Sequence, residues 1–206
     1  MVREIKSSAA NSPASEVWLL AASTGGLQAI SQFLAKARPR VGTGFIYAQH
    51  IEVKQVNQLV KMVERRSQWR AEVASVGGFV AEGCVTVVSP GEKVSFGIDG
   101  SFRNAQEPWS GRYRPNIDDI CTELAAQYEN DSGMVVFTGM GDDGVIGSKA
   151  IKAGGGKVWI QEPASCVAPA LPEAVMARGE YDFSADIEGL SRKFNERLST
   201  KLQRSL

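Results

Sequence analysis

Three stretches of the chain end in residues that could perform acyl transfer. Leu19 to Ile30 reads LLAASTGGLQAI: an apolar run stops at Ser23, and Gly25 and Gly26 precede a second apolar stretch with a different spacing. Gly44 to His50 reads GFIYAQH and ends on the single histidine of the chain. Gly133 to Gly144 reads GMVVFTGMGDDG and carries Asp142 and Asp143 into a glycine-flanked turn. A serine, a histidine and an aspartate delivered to one edge supply a nucleophile, a general base and the carboxylate that orients it.

Each of these residues also has a structural reading. A serine ahead of a helix caps it by accepting from an early backbone N–H. Gly25 and Gly26 tolerate positive φ and could bring N–H groups to a ligand oxygen, as a phosphate cradle does. The stretch around Ser23 has none of the G-x-S-x-G, G-x-G-x-x-G or G-K-[ST] patterns, so a nucleotide site is weakly supported there. His50 ends an apolar run and is the sole imidazole on which a serine hydrolase could draw, although a lone histidine is also a common structural residue. One histidine does not make a His-based zinc site, which takes three or four protein ligands. Aspartates between glycines suit a turn, and the sequence leaves open which of Asp142 and Asp143 faces inward. Cys166, in PASCVAP, could pair with His50 as a thiol nucleophile; packing as a small apolar residue is the simpler role.

The elements that must position these residues alternate between strand and helix. Val17–Ala22 and Gly44–Gln49 read as buried strands. Gly26–Ala37 and Val53–Arg66 read as helices, the first with Leu27, Ile30, Phe33 and Leu34 on one face. CVTVVSPGEKVSFGIDG holds two alternating runs around Ser89-Pro90-Gly91 and reads as a hairpin or strand pair. Then follow a helix over Ile117–Tyr128, a strand over Gly133–Thr138, a helix over Val145–Ala153 and a strand over Lys157–Gln161. Helices over Pro172–Arg178 and Ile187–Leu202 close the chain. This rhythm predicts an α/β fold: three layers, with a mostly parallel, doubly wound sheet and an antiparallel hairpin or edge. In such sheets chemistry sits beyond the carboxyl ends of the strands, where Ser23, His50 and the Gly139–Gly144 turn fall.

Composition narrows the function classes. The 206 residues fit one domain, and 43% hydrophobic with 22% charged residues is ordinary globular material. No apolar run approaches the roughly 18 residues of a membrane span. Lys+Arg and Asp+Glu balance at 23 each, which offers no basic footprint for nucleic acid. Cys84, Cys121 and Cys166 are odd in number and widely spaced, which suits neither disulfides nor a zinc cluster and fits a reducing cytoplasm. Residues 1–15 lack a signal-peptide core and read as a flexible linker remnant, leaving 16–206 as the folded domain.

Taken together, AASTGG, QH, GMGDDG and QEPASCVAPALPEAV, in that order and with VSPGEK and RPNIDD between them, resemble the catalytic domain of the chemotaxis protein-glutamate methylesterase (CheB) family. The resemblance runs from about Glu16 to Leu198. It implies a Ser23, His50, Asp143 triad that hydrolyses glutamyl γ-methyl esters on the cytoplasmic signalling region of methyl-accepting chemoreceptors, and in some members deamidates receptor glutamines. It further implies Met140 N–H as oxyanion donor, Thr24 as a hydroxyl that helps orient the imidazole or as a cap, and Arg114 at the rim where an acidic receptor helix docks. No cofactor and no metal are implied, and a cytoplasmic monomer is expected. Family members commonly carry a receiver domain ahead of the catalytic region; either this is an excised catalytic domain, which the Ser-rich start favours, or its regulation works differently, through a receiver domain or another chemosensory regulator. Two departures stand out: Ile51-Glu52-Val53 follows His50 where many relatives have a proline, and Ala21-Ala22 stands where Gly-Ala is usual. The alternative is a catalytically weak receptor-binding module of the same fold.

Overall fold

Glu16–Ala22 (β1) is buried along its whole length, and a strand buried on both faces needs helices above and below it. The computed structural model describes residues 12–203 and supplies them. After β1 come a helix at Gly26–Lys36 (α1), a strand at Thr43–Gln49 (β2) and a helix at Val56–Arg66 (α2). Arg70–Val73 (β3) and Cys84–Val87 (β4) follow, then a small ribbon of Val94–Phe96 (β5) and Phe102–Asn104 (β6). The second half runs through Ile117–Tyr128 (α3), Ser132–Val136 (β7), Val145–Ala153 (α4), Lys157–Gln161 (β8), Ala170–Arg178 (α5), Phe183–Ala185 (β9) and Ile187–Gln203 (α6).

Seven strands form one sheet in the order β3-β4-β2-β1-β7-β8-β9, and every pair in it is parallel. Alternation along β1 splits the core. Val17, Leu19 and Ala21 pack with Ile117, Leu124, Ile151 and Leu171 from α3, α4 and α5. Trp18, Leu20 and Ala22 pack on the other face with Ile30, Phe33, Leu59 and Phe194 from α1, α2 and α6. The predicted three-layer, doubly wound α/β fold is therefore the observed one. The sheet itself is wholly parallel, and the antiparallel element is the separate β5–β6 ribbon.

Three sequence expectations need correction. Ser89-Pro90-Gly91 does not turn a hairpin: β4 lies between β2 and β3, and β5 pairs with β6 across Gly97 to Gly100. All four residues of β4 are buried, so its run marks two-sided burial in a parallel sheet rather than one face of a hairpin. Leu27 is 46% exposed, and Ala29 rather than Leu27 joins Ile30, Phe33 and Leu34 on the inner face of α1. The helix expected from Val53 begins as a single 3-10 turn over Val53–Gln55 before α2 proper. Of the expected flexible lead-in, residues 1–11 lie outside the described residues. Ala14, by contrast, is buried and its N–H donates to Val80 O, while Pro13 bridges Ala81.

Candidate active site

The sheet reverses its order at β1: the chain moves to β2 on one side and returns to β7 on the other. At such a reversal the loops leave in opposite directions and open a crevice beyond the carboxyl ends of the strands. The ladders carry the site residues into it. Ala22 pairs with Gln49, and the next step along is closed by His50 N–H donating to Ala22 O at 3.4 Å. On the other side Ser23 N–H donates to Thr138 O at 3.1 Å. Ser23 and His50 are thus neighbours on adjacent strands, whose spacing is about 5 Å.

His50 Nε2 lies 2.8 Å from Asp143 Oδ2, with the Asp143 side chain fully buried and that of His50 only 14% exposed. Asp143 therefore occupies Nε2, and Nδ1 is the nitrogen left to take a proton. Of the two aspartates in the turn, Asp143 faces inward. Asp142 lies outside with Arg112 and Arg178.

Asp143 is held by a helix it does not belong to. Its Oδ2 accepts from Ile117 N–H at 2.8 Å and its Oδ1 from Asp118 N–H at 3.0 Å, the first two amides of α3. Those amides have no partner within the helix, and the aligned peptide dipoles favour negative charge there. Asp118 returns the contact: its Oδ1 accepts from Gly144 N–H at 2.9 Å and Gly147 N–H at 2.6 Å, at the head of α4. Burial, reinforced by the neighbouring Asp143 charge, outweighs these two donors and pushes the Asp118 carboxyl up to about 6.

Ser23 is not a helix cap. Gly25 is the residue that caps α1, at φ 81°, and no side chain bonds the first turn. Ser23 Oγ makes no hydrogen bond within the described residues, to His50 included, and stands uncommitted at the crevice. Thr24 is exposed; its hydroxyl neither caps α1 nor meets His50, while its carbonyl accepts from Thr138 Oγ1 at 3.0 Å. Glycine is needed at 139 because a Cβ there would come within 2.9 Å of both Ser23 Cβ and Leu171 Cδ2. Met140 follows, 56% exposed, and its N–H donates to no acceptor among the described residues.

Two residues outside the sequence-predicted set organise this edge. Buried Thr138 ties three loops together: its N–H donates to Gln161 Oε1, and its hydroxyl bonds Thr24 O and the Ala168 backbone. Tyr113 stacks on His50, with ring centroids 4.8 Å apart and planes 12° from parallel. The aromatic residue beside R-P-N-I-D was the available signal for Tyr113, but nothing local links it to a histidine 63 positions earlier.

The family model described as CheB methylesterase matches residues 18–194. The chain belongs to the CheB methylesterase family. Among curated CheB relatives, a protein-glutamate methylesterase/protein-glutamine glutaminase of Pseudoalteromonas atlantica is 30% identical over 80% of this chain and 45% of its own length. A Myxococcus xanthus protein of the same description is 27% identical over 88% of this chain and 53% of its own. The chain thus spans about half the length of the curated relatives it matches. The crystal structure of the Thermotoga maritima CheB methylesterase catalytic domain superimposes with a TM-score of 0.81 at 22% identity, covering 88% of this chain and 97% of that one. That likeness is one of fold.

Within this CheB fold the remaining candidates sort by position. Arg114, expected at the docking rim, is exposed and makes no hydrogen bond or ion pair among the described residues; Arg112 and Arg178 instead hold Asp142. Burial pushes the Cys166 thiol up to about 11, and its sulfur faces Gln161 O and Glu162 O, so it is no thiolate partner for His50. Among the described residues no group of three or more His, Cys, Asp or Glu side chains could hold a metal ion. No described helix is long and apolar enough to cross a membrane.

Proposed function

We propose that this chain is the catalytic domain of a protein-glutamate methylesterase, a serine hydrolase acting on glutamyl γ-methyl esters in the cytoplasmic signalling region of chemoreceptors. The observation that carries the reading is the buried His50–Asp143 pair, one strand away from a serine whose hydroxyl makes no hydrogen bond among the described residues. Membership of the family supports the substrate class.

Ser23 Oγ attacks the ester carbonyl while His50 Nδ1 takes its proton, and Asp143 holds the Nε2 edge and stabilises the imidazolium. The Ser23–His50 hydrogen bond forms as substrate fills the crevice, since such contacts are commonly open in the free enzyme and tighten in the complex. The tetrahedral oxyanion meets the uncommitted N–H of Met140. His50 then returns the proton to the methoxy oxygen and methanol leaves. A water, deprotonated by His50, cleaves the acyl-enzyme and restores Ser23 with a free glutamate. A receptor glutamine passes through the same acyl-enzyme with ammonia as the leaving group. A cytoplasmic setting follows from the substrate, and a receiver domain is the natural regulator of such a crevice.

A phosphonylating reagent tests the nucleophile directly. The account expects stoichiometric addition at the peptide holding Ser23, and at least a hundredfold slower addition in His50→Ala. Modification elsewhere, or none, removes Ser23 from the nucleophile's place and favours the binding-module alternative, for which the unmade Ser23–His50 bond is the present argument.

A further inference from the structure

Among the described residues the imidazole of His50 has one in-plane hydrogen bond, to Asp143. A single bond of that kind is lost when the ring turns about its own terminal torsion, and that torsion is broad in histidine. What restrains the swing is the Tyr113 ring, lying 4.8 Å away and nearly parallel. Tyr113 is itself fixed. Its hydroxyl donates to Asp142 Oδ1 at 3.2 Å and accepts from Arg112 Nη2 at 2.7 Å. Arg178 Nη2 holds the other oxygen of Asp142 at 3.3 Å. Gly141 makes the seat: at φ +89° it takes a conformation that glycine favours, and a Cβ there would overlap the Tyr113 hydroxyl.

We propose that Tyr113 is a positioning residue for His50, locking the imidazole plane in which Nε2 meets Asp143 and Nδ1 remains free for Ser23. Asp143 then holds the edge of the imidazole and the Tyr113 ring its face. The π-face also attracts the cation that His50 becomes when it accepts the proton. The catalytic consequence rests on the esterase reading; the locking of the ring does not.

Because His50 is the single histidine of the chain, NMR of one imidazole reports the ring without reference to activity. The experiment compares wild type, Tyr113→Phe and Tyr113→Leu, with backbone amide spectra showing that each is folded. Tyr113→Phe is expected to keep the upfield ring-current shift of the His50 carbon-bound protons, the Nε2–H tautomer, and kcat within about threefold. Tyr113→Leu is expected to lose the ring-current shift, to mix tautomers, and to lose about 10- to 100-fold in kcat with KM nearly unchanged. Unchanged nitrogen shifts and kcat in Tyr113→Leu overturn the proposal. So does a Phe variant that falls as far as the Leu variant, since the hydroxyl rather than the ring would then matter. If wild type hydrolyses no ester, the esterase reading fails, and the His50 tautomer in Tyr113→Leu alone decides the locking: mixed supports it, unchanged overturns it.

Discussion

Asp143 and Asp118 cap each other's helices. Asp143 stands just ahead of α4 yet accepts from the first two amides of α3, while Asp118, in the first turn of α3, accepts from Gly144 and Gly147 at the head of α4. The exchange explains how a residue in a glycine-rich turn is held rigidly enough to fix its bond to His50. Asp118→Ala leaves the two α4 amides without their acceptor and is expected to cost about 2 kcal/mol in urea unfolding. Asp118→Asn keeps an oxygen for both amides and should cost less than half as much at pH 4. Equal losses in the two variants would show that the crossed caps contribute nothing.

The same carboxyl gives stability a pH dependence. Burial raises Asp118 to about 6, above the roughly 3.9 of an unfolded aspartate. Between those values the native state keeps a proton that the unfolded chain has released. Its stabilising contribution is therefore whole below about pH 4 and lost as pH rises through 6. Asp118→Asn has no such proton to lose. The stability of the variant relative to wild type should rise between pH 4 and pH 7 by about 1 kcal/mol, the half-exposed site being screened by solvent. A flat or falling difference contradicts the assignment.

Gly139 ties the placing of Ser23 to the packing behind it. A side chain there meets Ser23 Cβ and Leu171 Cδ2, each at 2.9 Å, so the neighbours must shift. Gly139→Ala is expected to lower kcat at least tenfold by displacing Ser23, while overpacking costs about 1–3 kcal/mol. A variant that keeps wild-type kcat shows that the Ser23 backbone does not lean on Gly139.

Much of the frame was legible because period and burial agreed. Ile117–Tyr128, Val145–Ala153 and Lys157–Gln161 have the observed bounds, and β1 and β2 end within a residue of Ser23 and His50 as expected. Short strands were harder. β3, RAEV, lies at the sheet edge with half-exposed, charged residues, and β6 and β9 have three residues each, too few to show a period. The β4–β5 region was misread because a run buried on both faces and a run on one face of a ribbon look alike when Ser-Pro-Gly separates them. Within the site, strand ends located Ser23 and His50. The choice between Asp142 and Asp143 depended on the α3 amides, and Tyr113 on a contact across 63 residues, neither of which leaves a local pattern. Thr24 and Arg114, carried over from the family resemblance, make no side-chain hydrogen bond or ion pair with His50 or Asp143.

The most direct measurement is methanol release from receptor fragments carrying glutamyl γ-methyl esters, with wild type beside Ser23→Ala and His50→Ala. Wild type is expected to turn over, and each variant to lose about 10⁴-fold or more in kcat, as removal of one member of a serine triad causes. A wild type that releases no methanol, or a Ser23→Ala variant as fast as wild type, contradicts the esterase reading.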